Sequence, residues 1–417
     1  MNLPIGLLAL AICLSSLSSK AAGLAWLWMV VGGLLVWLKS YRQPIQTLPL
    51  LPGRELGIQI ANWWILACAL AMVMMLIPTA YWSGPWPERH PQWRMLFGAV
   101  GVGWLLRYSP PTQGALRIWA SAAAISSLLA YGLVVAVSSN EAPTNRIPWM
   151  AGLSLLSCAL LTLSFGLKDA HLKLRQFWLT ASALMLVTVL LSGVRGSFPL
   201  LLIWPLTLLV MHRAEPSLWQ KSWRWLLPLM IFLFVLGLPL IPEGDNPLVR
   251  VLHVFRETGA IAVEGSALSE TSSGIRVTLY RTALQHVFDH PLWGMGPTAA
   301  KALIIQALMA AGMTDPAVVF GIGHFHSDLL NPWVEFGLLG LMGYVSYLGG
   351  MLLVAWRLKC LLAQPVMTFG MLALALVHLA TGLSNMNLAH NYYPTMLAIS
   401  VGLILFCASD SDRSVSP

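Results

Sequence analysis

In the stretch FGIGHFHSDLLNPWVEFGLLGLMG, Phe320 to Gly343, two histidines stand one residue apart at the mouth of a segment apolar enough to enter a bilayer. An imidazole has an unperturbed pKa of about 6.5, so His324 or His326 can accept a proton at neutral pH, more readily where nearby cations disfavour the imidazolium. A histidine at a helix end also serves as a hydrogen-bonded cap, and both readings suit this place. An HxH pair can be half of a metal site. Its further ligands would have to come from Asp328, His290 or Glu335 at no recognisable spacing, so no metal and no cofactor is expected.

Arginines form the second group. Arg195 lies in LLSGVRGSFPLL between Gly193 and Gly196, glycines that allow a sharp turn and a close approach of backbone to ligand. In IRVTLYRTALQH, Arg276 precedes Tyr280 by four residues. At about 100° per residue the two share a helix face, whereas Arg281 falls about 140° away from Arg276. Arg146 stands in TNRIPW. A guanidinium directed toward a membrane bundle requires an anionic partner or a water-filled cavity, and its planar, permanently charged fork suits phosphate. The alternative is an arginine snorkelling to lipid headgroups.

The elements that must position these groups are membrane helices. With 57% apolar and 10% charged residues and a mean hydropathy of +0.73, the chain has too little polar surface to solvate a globule of 417 residues. Apolar blocks fall near residues 3–19, 21–38, 59–80, 92–106, 116–138, 147–167, 176–194, 197–212, 223–241, 328–355, 366–384 and 390–408. They predict an all-α, polytopic integral membrane protein of about twelve transmembrane helices. Nothing basic precedes the first block, which is expected as a helix and not a cleaved leader. The five cysteines lie in apolar segments without CxxC spacing and are expected as small core residues.

Lys and Arg collect in alternate short loops, among them Lys39, Arg42, Arg54, Arg107, Lys173, Arg213 and Arg357. That bias places both termini in the cytoplasm and puts Arg146, Arg195, Arg276, His324 and His326 on the far side. Most of the net charge of +8 is this loop charge, so nucleic acid is not an expected partner. The chain divides into residues 1–241 with nine spans, a loop domain over 242–325, and residues 326–417 with three spans and a short tail. Within the loop domain, NPLVRVLHVFRE predicts an interfacial amphipathic helix, and EGSALSETSSG a connector. A second helix follows, with the stripe Tyr280, Ala283, Leu284, Val287 and Phe288, and is stopped by His290-Pro291. No phosphate-binding GxxxxGK[ST], dinucleotide fingerprint or HExxH is present, so any driving energy comes with the substrate.

HSDLLNPWVEFGLLG has the form H-[NSQ]-(nine residues)-G-x-x-G, set by His326, Ser327, Gly337 and Gly340. It resembles the signature of bacterial O-antigen ligases within the O-antigen ligase and polymerase superfamily. Upstream, GIRVTLYRTALQHVFDHPLWGMG is similar to the superfamily's R-x-x-x-[WY] followed by H-P-L-x-G-x-G, and an Arg-Gly ends the seventh block. After Gly296 the chain reads PTAAKALI, a departure from the small or aromatic residues of many members. The resemblance implies a GT-C-like glycosyltransferase with one large periplasmic loop in the bacterial inner membrane. It would move a preassembled O-antigen from undecaprenyl pyrophosphate to the lipid A-core oligosaccharide, among membrane lipids at the periplasmic face. Its essential residues fall on His326, Arg195 and Arg276. Tyr280, His324 and Ser327 join as substrate-binding candidates, with Arg146 and Arg281 added on position. A pyrophosphate leaves readily, so the chemistry needs cations on the departing oxygens and a base for the acceptor hydroxyl, and a single displacement inverts the anomeric centre. No spaced carboxylate pair suggests retention. An O-antigen polymerase and a protein O-oligosaccharyltransferase share this donor, and a lipid-linked oligosaccharide flippase is the non-enzymatic alternative. The nine-residue spacing favours the ligase. The gathering of polar residues at one face, without an internal repeat, favours chemistry over transport.

Overall fold

The computed structural model describes residues 3–42, 52–82, 92–136, 145–167, 170–214, 216, 227–235 and 272–409. Regular structure among them is helical: α1 (Leu3–Cys13), α2 (Ser19–Arg42), α3 (Pro52–Tyr81), α4 (Gln92–Tyr108), α5 (Gln113–Ala136), α6 (Arg146–Gly166), α7 (Leu172–Leu191), α8 (Leu200–Ala214) and α9 (227–235). After the insertion follow α10 (Ser272–His286), α11 (Pro297–Ala310), α12 (Pro316–Gly321), α13 (Leu330–Leu362), α14 (Pro365–Ser384) and α15 (Tyr392–Ser409). Eight of the twelve expected blocks, realised as α2, α3, α5, α6, α7, α13, α14 and α15, are helices long and apolar enough to cross a membrane. The others are shorter where described; α4, with 17 residues, reaches only about 25 Å at 1.5 Å per residue.

Burial sorts these helices into an inner and an outer set. In α6 and α15, 94% of the most apolar window is buried, against 28% in α2 and 33% in α3. A helix apolar on every side belongs at the centre, and α6 packs there on both α7 and α15. Leu35, Leu66 and Val73 on α2 and α3 stay exposed, as side chains facing lipid do. Within the apolar interior small polar residues pair across helices. The Ser157 and Ser182 hydroxyls each donate to the other's carbonyl, at 2.8 and 2.7 Å, and the Trp204 indole donates to Ser182 Oγ at 2.8 Å. Of the five cysteines, Cys68, Cys158 and Cys407 are buried as expected. Cys13 is only half-buried, and Cys360 is exposed near the end of α13, because an apolar segment has a lipid face as well as a core face.

The insertion builds a smaller core of its own. Its expected amphipathic helix, and the connector as far as residue 271, lie outside the described residues. Ser272, Ser273 and Gly274, assigned above to the connector, instead form the first turn of α10. Leu279 and Ala283 of α10, with Val287 just past its end, pack with Ala300, Ile304 and Leu308 of α11, and the cluster continues through Phe325 to Val334 at the head of α13. The buried line therefore runs one residue to the side of the expected stripe. Leu284 and Phe288 are exposed, and Tyr280 is half-buried toward the histidine loop.

One glycine on each side locks this small domain to the bundle. Helix α13 breaks at Gly337, whose φ of 65° and ψ of −151° belong to a region essentially reserved for glycine. There the segment from Pro291 to Gly296 runs backbone to backbone against α13. The Met295 and Gly296 amides donate to the Val334 and Glu335 carbonyls at 3.0 Å, and the Leu338 amide donates to the Pro291 carbonyl at 2.7 Å. A Cβ on Gly337 would collide with the Leu292 carbonyl, and one on Gly294, itself at φ 67°, with that of Glu335. Gly340 lies against the Pro332 carbonyl within α13 itself, and Gly296 against the Trp82 ring. Gly337 of the G-x-x-G after the histidine and Gly294 of HPLWGMG are thus two halves of one contact.

Candidate active site

His326 sits in the loop between α12 and α13 with a φ of 49°, a left-handed conformation uncommon outside glycine. Bonds on every side hold the loop there. The Tyr280 hydroxyl reaches the Leu383 carbonyl at 2.9 Å and the His326 carbonyl at 3.1 Å. The Ser327 hydroxyl donates to the Gly382 carbonyl at 3.2 Å and accepts from the Leu329 and Leu330 amides at the start of α13. The Asp328 amide donates to Gly382 O at 2.7 Å and Asn385 O at 3.1 Å, while Asp328 Oδ1 accepts from the Leu388 amide at 2.9 Å. The segment linking α14 to α15 is therefore the seat of the histidine loop.

The two histidines touch. Their ring centroids are 4.5 Å apart, edge to face, and the His326 amide donates to His324 Nδ1 at 3.2 Å. That bond leaves the His324 Nδ1 lone pair facing its neighbour and turns the ring into a wall beside His326. Burial lowers the His326 pKa to about 3, with the His324 and Arg276 charges adding in the same direction. His324 is lowered to about 4, again first by burial and then by His390, against a raising contribution from its own backbone hydrogen bond. Both rings are neutral at physiological pH. Burial pushes the Asp328 carboxyl the other way, well above the usual range, although the Leu388 and Asn387 amides oppose it.

Arg276 is half-buried and its Nη2 donates to Asn385 Oδ1 at 3.4 Å. Its charge reaches both His326 and Tyr280, so the guanidinium, phenol and imidazole share one small volume. Arg195 opens the short turn Arg195–Ser197 after α7; its side chain lies outside the described structure. The backbone of that turn is placed: any side chain on Gly196 would collide with Asn385 and Ser384. The turn and Arg276 thus meet at Asn385. Arg146 begins α6, which is antiparallel to α7 and contacts the same turn, so it stands at that end of the bundle. Arg281 is exposed beside Val277, Leu284 and Gln285. Ser327, a substrate-binding candidate above, is only 1% exposed and uses its hydroxyl within the protein.

Sequence reasoning missed Asn385 and gave Asp328 no role beyond metal binding. The signal was available: SNMNLAHN, Ser384 to Asn391, is an amide-rich run between two apolar blocks. Among the described residues no group of three or more His, Cys, Asp or Glu could hold a metal ion. What the arrangement can do is accept a proton at His326 while a guanidinium holds negative charge nearby. A search of curated proteins found no match to this chain. The described family model that matches is O-antigen ligase, over residues 180–345, from within α7 to the middle of α13 and so across the Arg195 turn, Arg276, Tyr280, His326 and both Gly294 and Gly337. On that match and its ordered motifs, the chain carries an O-antigen ligase superfamily domain.

Proposed function

We propose that this protein is an O-antigen ligase. It transfers a preassembled glycan from undecaprenyl pyrophosphate to the lipid A-core oligosaccharide at the periplasmic face of the inner membrane. The four shorter helices complete a twelve-span, GT-C-like bundle around the site. The observation that carries the reading is a neutral His326 within electrostatic reach of Arg276, in a loop at the mouth of a membrane helix. In this mechanism His326 takes the proton of the acceptor hydroxyl as it attacks the anomeric carbon. The C–O bond to the pyrophosphate breaks with inversion, and the electron pair leaves on a phosphate oxygen. Arg276, oriented by Asn385, and Arg195 hold the developing charge, which their planar forks match better than a point charge would. The acceptor and donor are both lipids, which supports a site where headgroups meet water.

The test is transfer in detergent by purified protein with lipid-linked glycan and lipid A-core, without nucleotide and with chelator. Transfer should persist under chelation and fall at least a hundredfold in His326→Ala. Undiminished transfer in that variant sinks the base. The family match supports O-antigen-type transfer by ligation or polymerisation alike, so a lipid-linked repeat unit is offered as a second acceptor. Chain lengthening in place of transfer to lipid A-core would make the protein a polymerase.

A further inference from the structure

Beside the histidine pair lies a cavity of about 560 Å³, within the range of roughly 300–1,000 Å³ usual for small-molecule sites. His324 forms part of its wall, and α4, α11 and α13 supply others. Four of the residues that line it each carry a buried polar atom with no hydrogen-bond partner in the protein: Gln92 Oε1, Asp328 Oδ2, Asn331 Nδ2 and Tyr347 OH. Their side chains are 7, 3, 1 and 1% exposed. A buried polar group left unpaired is costly and native proteins keep few, so four around one cavity point to a ligand that pairs them.

The chemistry of the four selects the ligand. They comprise an amide acceptor, an amide donor, a carboxyl oxygen and a phenol, a mixture that suits hydroxyl groups able to donate and accept at once. A hydrocarbon tail would leave all four atoms dry, and an anion would meet Glu335 in the same wall with only Lys301 to offset it. Between the polar atoms stand Met75, Phe336 and Tyr344, apolar surface for the C–H faces of a ring. We infer that this cavity is a saccharide subsite, holding a polyhydroxylated sugar ring of either the donor glycan or the acceptor core next to His326. The inference rests on the transfer reaction proposed above. Gln92 and Tyr347 are specificity-determining residues in it, reaching the ring from α4 and from within α13.

Tyr347→Phe and Gln92→Met remove two of the unpaired atoms at nearly constant shape. If the atoms only tolerate burial, both variants melt at the same or a higher temperature and nothing else changes. A subsite predicts that each also raises the half-saturating concentration of one lipid-linked sugar substrate about tenfold with kcat nearly kept. Whether lipid A-core or the lipid-linked O-antigen is affected identifies whose ring occupies the cavity. Independently of transfer, saturation-transfer NMR on the full-length protein in detergent uses core oligosaccharide and O-glycan freed of lipid as probes. The wild type should show contact with one of them, weakened in both variants. Unchanged half-saturation and unchanged contact in folded variants overturn the subsite while leaving ligation intact, as does displacement of the sugar signal by glycan-free polyprenyl phosphate. Sugar contact without any transfer supports the subsite and removes the ligase reading instead.

Discussion

Gly337→Ala places a methyl group where two backbones touch. The residue holds φ 65° and ψ −151°, a conformation that costs a non-glycine residue about 1–3 kcal/mol. Its Cβ would enter the Leu292 carbonyl group, which is backbone and cannot swing aside as a side chain can. Clearing it separates the Pro291–Gly296 segment from α13 and strains the three bonds made by the Met295, Gly296 and Leu338 amides, each worth about 1 kcal/mol net. The sum, about 4–6 kcal/mol, is a large part of the stability of a typical domain. Because the contact is local, it should appear as local opening of the loop domain before global melting. Hydrogen exchange at the amides of 295, 296 and 338 in detergent-purified protein should accelerate at least a hundredfold, and glycan transfer should fall with it. Gly349 lies in the same helix with no atom within 4 Å of an added Cβ, so Gly349→Ala should be neutral or slightly stabilising. Unchanged protection in Gly337→Ala, or an equal loss in Gly349→Ala, would refute the two-backbone argument.

Arg276→Lys should lower transfer roughly a hundredfold, because an ammonium cannot reproduce the fork that bonds Asn385 and, in the proposed mechanism, would meet two phosphate oxygens, whereas exposed Arg281→Lys should be tolerated; side-by-side initial rates decide, and equal losses would refute the helix-face assignment. A base must be neutral to act, so activity is full above its folded pKa and is lost as pH falls through it. With His326 lowered to about 3, kcat/KM should stay flat from pH 8 to about 5, well below the ordinary imidazole value. His324→Asn removes one lowering charge and should move the acid limb upward toward 6.5; a wild-type limb already centred near 6.5 would contradict the burial of the ring.

Much of the site is legible in one dimension where a local rule carries it. The four-residue spacing of Arg276 and Tyr280 puts them on one face of α10, and the 140° offset sends Arg281 to the exposed side. The nine-residue spacing from Ser327 to Gly337 reflects the length of α13 before its break. Other features depend on partners far along the chain. Leu284 and Phe288 extend an apolar periodicity, yet only the approach of α11 decides that the line through Leu279, Ala283 and Val287 is buried. Asn385 carries no motif. It gains importance because α14 ends where Arg276, the Arg195–Ser197 turn and the histidine loop converge.

By itself the sequence determined that this is a helical membrane protein, and it set one histidine and a few arginines apart by motif and spacing. Hydrophobic run length, loop charge and helical periodicity are local or additive properties, readable without neighbours. Only the tertiary structure decided that His324 walls a cavity while His326 faces Arg276, and that Ser327 and Asp328 hold the loop from within. It also showed that Gly294 and Gly337 mark one backbone contact between segments far apart in the chain. Desolvation sets the protonation of these groups, and it depends on what packs around a side chain, which no spacing along the chain records.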